Sequence, residues 1–454
     1  MKDEGLADVE AANPFRFIRT SPAGLGVLAI VTGAGAGLAA LVFRSLIRWF
    51  TALLSGHPEY GAAGHAPNPW VPWLGPWFVM LAPAVAGLLY GPLIYRYARE
   101  ARGSGVPEVM LAVAENGGRI RPAVAVVKSV ASAICIGGGG SVGREGPIVQ
   151  IGSALGSSLG QRLRVAEPRL KLLVACGAAG GISATFNAPI AGVLFALELL
   201  LRDFSAESAG VVLLASVTAD VIGRAAYGPA AFLSLPPFAL PSLAEYGFYA
   251  GLGLCAAVVG VAFIRVRYGL EDLADRVWRG PEWLRPAVGG LGLGLVLLVL
   301  PEMYGVGYPV LESAIREQYG PGLLILFLIG KIVATSLTIA IGGSGGVFAP
   351  TLFMGAMLGT AYGGLLHAAW PDLTGAAGAY GLVGMGAVFA AAARAPMTAV
   401  VSILELTGEY QLILPLMLAV ALAAGISRLL SRDTIFSSHR QHSSPARVSA
   451  KRLL

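Results

Sequence analysis

Gly137–Pro147 reads Gly-Gly-Gly-Gly-Ser-Val-Gly-Arg-Glu-Gly-Pro. It sets Arg144 and Glu145 between two apolar segments, immediately before a run that opens on Pro147. Proline suits a first helical turn, where its missing N–H is not needed. The glycines let the backbone turn tightly and approach a ligand. The amides of the new helix then face the Gly-Arg-Glu-Gly end, which makes a ready anion site. A carboxylate there is either a helix cap or a stand-in for an anion, and the rest of the chain has to decide.

Outward from this stretch the chain is unusually apolar. Its 454 residues carry 13% charged side chains and a mean hydropathy of +0.71, against about a quarter charged in soluble domains. Sixty-two glycines suit packed membrane helices better than soluble ones. The composition points to an all-α polytopic membrane protein in the lipid bilayer. The net charge of +6 is no sign of nucleic acid. Its basic residues gather in expected loops and tails, at Arg96–Arg102, Arg265–Arg279 (a connector between two spans) and Arg428–Arg452, which marks those parts as cytoplasmic. Met1–Thr20 lacks an apolar signal core, so no cleaved leader is expected. Cys135, Cys176 and Cys255 have no paired spacing and read as buried small hydrophobes. With five histidines, they form no metal, cofactor or nucleophile cluster, so neither an enzyme nor a cofactor is expected.

Several apolar segments are too short to cross a bilayer, which takes about 20 residues. Glycine or proline breaks them, as near Gly103–Pro107 and Gly342–Pro350. Irregular backbone at membrane depth persists only where protein or a water-filled cavity covers it. The breaks therefore mark a polar site inside the protein.

The chain also repeats itself. Lys128…Pro147 recurs as Lys331…Pro350, an offset of 203 (331 − 128), with matching glycines at 139/342, 140/343 and 143/346. Gly103–Pro107 echoes Gly305–Pro309, and Ala188-Pro189 through Leu199 echoes Ala395-Pro396 through Leu406. Two halves with broken helices characterise transporters whose site lies at the repeat interface. An inverted repeat is expected, because it brings equivalent helix ends to one point from opposite sides. The organisation expected is a cytoplasmic segment 1–20, a transmembrane domain 21–430 with halves 76–205 and 245–430, and a basic cytoplasmic tail 431–454.

At these residues the chain resembles the CLC family of chloride channels and chloride/proton antiporters. The resemblance rests on Gly103-Ser104-Gly105-Val106-Pro107, Gly143-Arg144-Glu145-Gly146-Pro147 and Gly346-Val347-Phe348-Ala349-Pro350, in family order. Phe186-Asn187-Ala188-Pro189 and Tyr410–Pro415 are similar to family segments too. It covers about Arg16 to Phe436, and no pair of regulatory CBS domains is expected to follow. It implies an inner-membrane homodimer with one anion pathway per subunit, chloride and other small anions as cargo, and protons as a second cargo in antiporters.

The resemblance also implies roles. Ser104, with Gly105, would serve a central chloride that the amides of Val347, Phe348 and Ala349 reach from the other half. Arg144 and Gly146 would serve an outer site, and Glu145 would be the gate, blocking the path when charged. Dehydrating an ion costs several kcal/mol; one helix N-terminus returns about 0.3–1 kcal/mol, or about 2 when partly buried. Several ends must therefore converge. Buried Lys128 and Lys331 would either raise the potential along the path or satisfy carbonyls. Either Glu198 or its repeat partner Glu405 would line a water path, Glu405 reading rather as structural.

Two departures bear on coupling. Antiporters of the family usually carry a proton-accepting glutamate just after the Glu198 position, where this chain has Leu199. A tyrosine that usually contacts the central chloride is replaced by Phe436, which has no donor. Both favour a passive, channel-like protein. The alternative is an antiporter that takes its proton through Glu198 or water.

Overall fold

In the computed structural model we describe residues 14–436, leaving out 64–65, 234, 236 and 239–241. Most of the expected segment 1–20 and most of the tail, with Arg440, Arg447, Lys451 and Arg452, lie outside the described residues.

The described residues are helical, with isolated bridges in place of strands. The helices are α1 Pro14–Thr20, α2 Pro22–Ser55, α3 Phe78–Tyr97, α4 Val106–Ala114, α5 Pro122–Gly137 and α6 Glu145–Arg162. Next come α7 Glu167–Phe186, α8 Pro189–Phe195, α9 Ala206–Tyr227, α10 Glu245–Val277, α11 Arg285–Val299 and α12 Tyr308–Ile315. The last are α13 Pro321–Ala340, α14 Phe348–Ala369, α15 Ala377–Ala393, α16 Pro396–Thr407 and α17 Ile413–Leu430. Eight helical stretches are long and apolar enough to cross a membrane, and α5, α8, α15 and α16 are shorter apolar pieces. The chain is thus an integral membrane protein of broken helices.

Two units divide it. The first holds the chain up to Val42, Glu108–Val126 and Ile148–Pro229. Its inner face follows helical spacing: Val212, Ala215 and Ala219 of α9 are fully buried, while Leu214, Val217 and Val221 point outward, as lipid-facing residues do. Inside it α6 crosses α7 where Gly152 meets Gly177; a Cβ on either would collide with the other's carbonyl oxygen. Small residues of this kind let membrane helices approach closely.

The second unit holds Phe43–Pro107, Val127–Pro147 and everything from Ala230 on. Here α14 crosses α15 in the same manner, with Gly355 against Gly384. Gly152 and Gly355 are repeat partners, so the repeat extends to packing. It extends to backbone as well. Gly139 and Gly342 both have φ of 98°, and Asn187 and Arg394 both cap a helix in the left-handed region, at φ, ψ of 57°, 39° and 57°, 40°. Each cap precedes an alanine–proline pair that starts the next helix.

Two expectations need correction. Cys255 is exposed rather than buried, on an outward face of α10 beside exposed Leu254 and Val258; a small apolar thiol is as suited to lipid as to a core. The basic stretch around Arg265–Arg276 is not a loop but the continuing end of α10. Arg267 is buried there, donating to the Ile435 carbonyl and to Tyr268 Oη.

Candidate anion site

The site lies within the second unit. Three glycine loops are stitched together by backbone. The Gly103 amide donates to the Gly343 carbonyl at 3.0 Å, and the Gly345 amide donates to the Gly103 carbonyl at 3.2 Å. Gly143 and Gly346 form an antiparallel bridge. Side chains could not fit here: a Cβ on Gly146 would strike the Ser104 carbonyl oxygen, and one on Gly346 would come within 2.6 Å of the Gly146 nitrogen.

Two lysines clamp the loops from behind. Lys128 Nζ donates to the carbonyls of Ala101, at 3.0 Å, and Gly103, at 2.8 Å. Its repeat partner Lys331 donates to those of Gly305 and Val306, both at 3.1 Å, and lies 5.0 Å from the centre of the Phe353 ring. Both are fully buried. Of the two readings open for them, this geometry is the carbonyl-satisfying one.

Glu145, the first residue of α6, is 3% exposed. Its carboxylate crosses to the start of α14, where Oε2 accepts from the Ala349 amide at 3.3 Å. Its Oε1 accepts from the Tyr308 hydroxyl at 2.7 Å. A buried charge persists only with such partners. The carboxylate therefore sits against the amide-bearing start of α14. Arg144, 8% exposed, lies 5.1 Å from the Phe232 ring centre and 5.5 Å from that of Tyr308, within cation–π reach.

Ser104 is fully buried, and its hydroxyl has no hydrogen-bond partner among the described residues. An N-cap serine would bond an amide of its own helix; this one does not. Gly105, at φ of 87°, turns the chain into α4 behind it. Val347 is the N-cap of α14, without a side-chain cap bond. Phe348 packs edge-on against Phe389 at 4.6 Å. Phe436 is buried at 4%, beyond Ile435, whose amide bonds the Ala392 carbonyl at 2.9 Å.

The proton-path candidates Glu198 and Leu199 belong to the first unit. Both lie in a π-helical turn, Ala196–Leu201, that continues α8 and ends on left-handed Arg202. Such turns often accompany functional positions. Leu199 is 7% exposed, and Glu198 is half-buried. Glu405 is half-buried in α16.

Tyr308 was not anticipated as a site residue. A signal was present: Gly305–Pro309 echoes the Ser104 loop, so it ought to reach the same point, and Tyr308 is its one polar side chain.

The comparisons with known proteins bear on the family and the fold. The chain resembles, at 37% identity over 402 residues, a Ralstonia nicotianae protein named for likeness to the chloride channel protein ClcB; the match covers 87% of this chain and 91% of that one. It is 32% identical over 438 residues to the H(+)/Cl(-) exchange transporter ClcA of Vibrio cholerae, covering 94% and 91%. Among solved structures it resembles a slow cyanobacterial Cl-/H+ antiporter, with a TM-score of 0.82 and 27% identity over 92% of this chain and 97% of that one. A CLC-type fluoride/proton antiporter, at 24% identity and a TM-score of 0.76, shares the fold. The family model described as voltage gated chloride channel matches residues 86–428, and the chain belongs to that family, the CLC proteins.

Proposed function

We propose that this protein carries chloride across the cell's inner membrane along a path gated by Glu145. The observation that supports this best is the Glu145 carboxylate seated on the Ala349 amide, at the amide-rich start of α14. Charged, it occupies the anion's place; protonated, it loses its attraction for that helix end and leaves. Ser104 presents a hydroxyl with no competing internal bond, and Arg144, Gly146 and the amides of Val347 and Phe348 complete the polar lining. The protein works as a homodimer with both termini cytoplasmic, and it moves ions rather than transforming a substrate.

The passive reading of transport rests on Leu199, which cannot carry a proton. A second reading, chloride/proton exchange, is favoured by the relatives named as exchange transporters and by the antiporter fold. In it the proton uses Glu145 and reaches it through Glu198 or water. Chloride efflux from proteoliposomes, with external pH followed at the same time, separates them. Uphill proton uptake driven by the chloride gradient establishes exchange; chloride loss with no proton movement establishes the passive reading. Chloride retained under both pH and gradient conditions would overturn transport itself.

A further inference from the structure

We propose that the Tyr308 hydroxyl is an anion-coordinating group of this pathway, holding the Glu145 carboxylate in its seat and passing to the anion that replaces it. The inference rests on the gate reading of Glu145 and deepens it.

The geometry is specific. Gly307, at φ of 92°, caps α12 and places Tyr308 in its first turn. The ring is fixed from the sides: Phe232 meets it edge-on at 4.8 Å and 74°, and the Arg144 guanidinium lies over it. What remains free to act is the hydroxyl, and it points at Glu145 Oε1 over 2.7 Å. An O–H donor to a carboxylate is among the stronger neutral-to-charged bonds. When Glu145 leaves, that donor is left facing the vacated seat beside the Ala349 amide. A donor in a partly buried place without an acceptor is costly, so the entering anion takes the bond. Chloride, an acceptor with no donor, suits this exchange.

The charged groups around the seat are few. Arg144 comes from the same loop as Glu145. Lys331 comes from α13, its ammonium engaged by the Gly305 and Val306 carbonyls. From α14 the seat receives the Ala349 amide. Tyr308 is the donor that α12 adds.

The test uses the full chain in proteoliposomes and the Y308F variant, which deletes one oxygen and keeps every ring contact. Chloride flux rises as pH falls and Glu145 is released. Losing the donor weakens the charged seat, so the flux–pH midpoint of Y308F should move to higher pH by about one unit or more. In an E145Q background, where the seat is open to anions, adding Y308F should weaken chloride binding by about tenfold in calorimetry. An unmoved midpoint, with E145Q flattening the pH curve, overturns the holding role; unchanged chloride affinity overturns the coordinating one. If E145Q itself keeps its pH dependence, the gate reading fails instead, and the affinity comparison still decides Tyr308.

Discussion

Gly143 and Gly346, repeat partners, bond to each other: each amide donates to the other's carbonyl, at 2.7 and 2.6 Å, in antiparallel sense. Equivalent residues that pair antiparallel lie on either side of a local two-fold axis. That is the arrangement that lets two helix ends face one point, and it follows from an inverted repeat. Glu145 stands two residues beyond one of these glycines and Ala349 three beyond the other, so the carboxylate meets its amide across this axis. One helix end cannot offset the dehydration of an ion; an axis of this kind supplies a second at no cost in chain length.

Ser104 is the first residue to test. Its hydroxyl is buried and makes no internal bond, so S104A removes nothing the fold uses and should leave thermal stability within about 0.5 kcal/mol. A hydroxyl bond to a charged partner is worth about 1.5–3 kcal/mol, so chloride affinity should fall tenfold or more. Calorimetric titration of the two proteins with chloride checks both statements. Equal affinities would remove Ser104 from the site.

The paired lysines give a prediction of the opposite kind. K331M takes from the Gly305 and Val306 carbonyls the ammonium that serves them, at about 1–3 kcal/mol per buried group, whereas K128M leaves the Ala101 carbonyl with the Ser344 hydroxyl and the Gly103 carbonyl with the Gly345 amide; both losses are partly offset by no longer burying a charge. Both variants should therefore melt earlier than the parent, K331M by more than K128M. Melting curves in detergent read this directly. An unchanged melt in either would return that lysine to a purely electrostatic role.

Outside the membrane-spanning helices, Asp203 stabilises the turn that starts α9. Its Oδ2 accepts from the hydroxyls of Ser208, at 2.6 Å, and Ser205, at 2.8 Å, and its Oδ1 from the Ser205 amide. The Ser208 hydroxyl first, then Ser205, hold its carboxyl below the ordinary value of 3.8. A lowered value means the contribution is fully present above pH 3.8 and is lost as pH falls through the folded-state value. Hydrogen exchange at Ser205–Ser208 should therefore be protected at pH 5 and above and lose protection in stronger acid. D203N should lack the acid step and exchange faster throughout.

Much of this was legible in the sequence, for physical reasons. Hydropathy and glycine content fixed the class, and the repeat of Lys128…Pro147 pointed to equivalent helix ends meeting, while it left the two lysines open between a potential along the path and the carbonyls they prove to hold. Cys255 was misjudged because an apolar residue faces lipid as readily as a core, and composition does not distinguish the two. The basic end of α10 looked like a connector because charge ends an apolar span without ending a helix. Tyr308 escaped notice because its role depends on where an echo of the Ser104 loop lands in space. Periodicity carries no information on that.

Leu199 is where the two readings of transport diverge. It is 7% exposed in the π-helical turn Ala196–Leu201, beside half-buried Glu198. A leucine there neither accepts a proton nor orders water. If transport is passive, L199E supplies a missing proton acceptor, and chloride efflux from L199E proteoliposomes should draw protons in against their gradient where the parent moves none. A buried carboxylate is costly, so the variant should also lose roughly 1–3 kcal/mol of stability; L199Q, with similar bulk and no titration, controls for that loss and should show no proton movement. If the parent already exchanges protons, L199E should change the rate without creating coupling, and the route through Glu198 or water becomes the one to trace by E198Q. Proton movement absent from L199E, with chloride flux intact, would show that Leu199 is not where a proton path is interrupted.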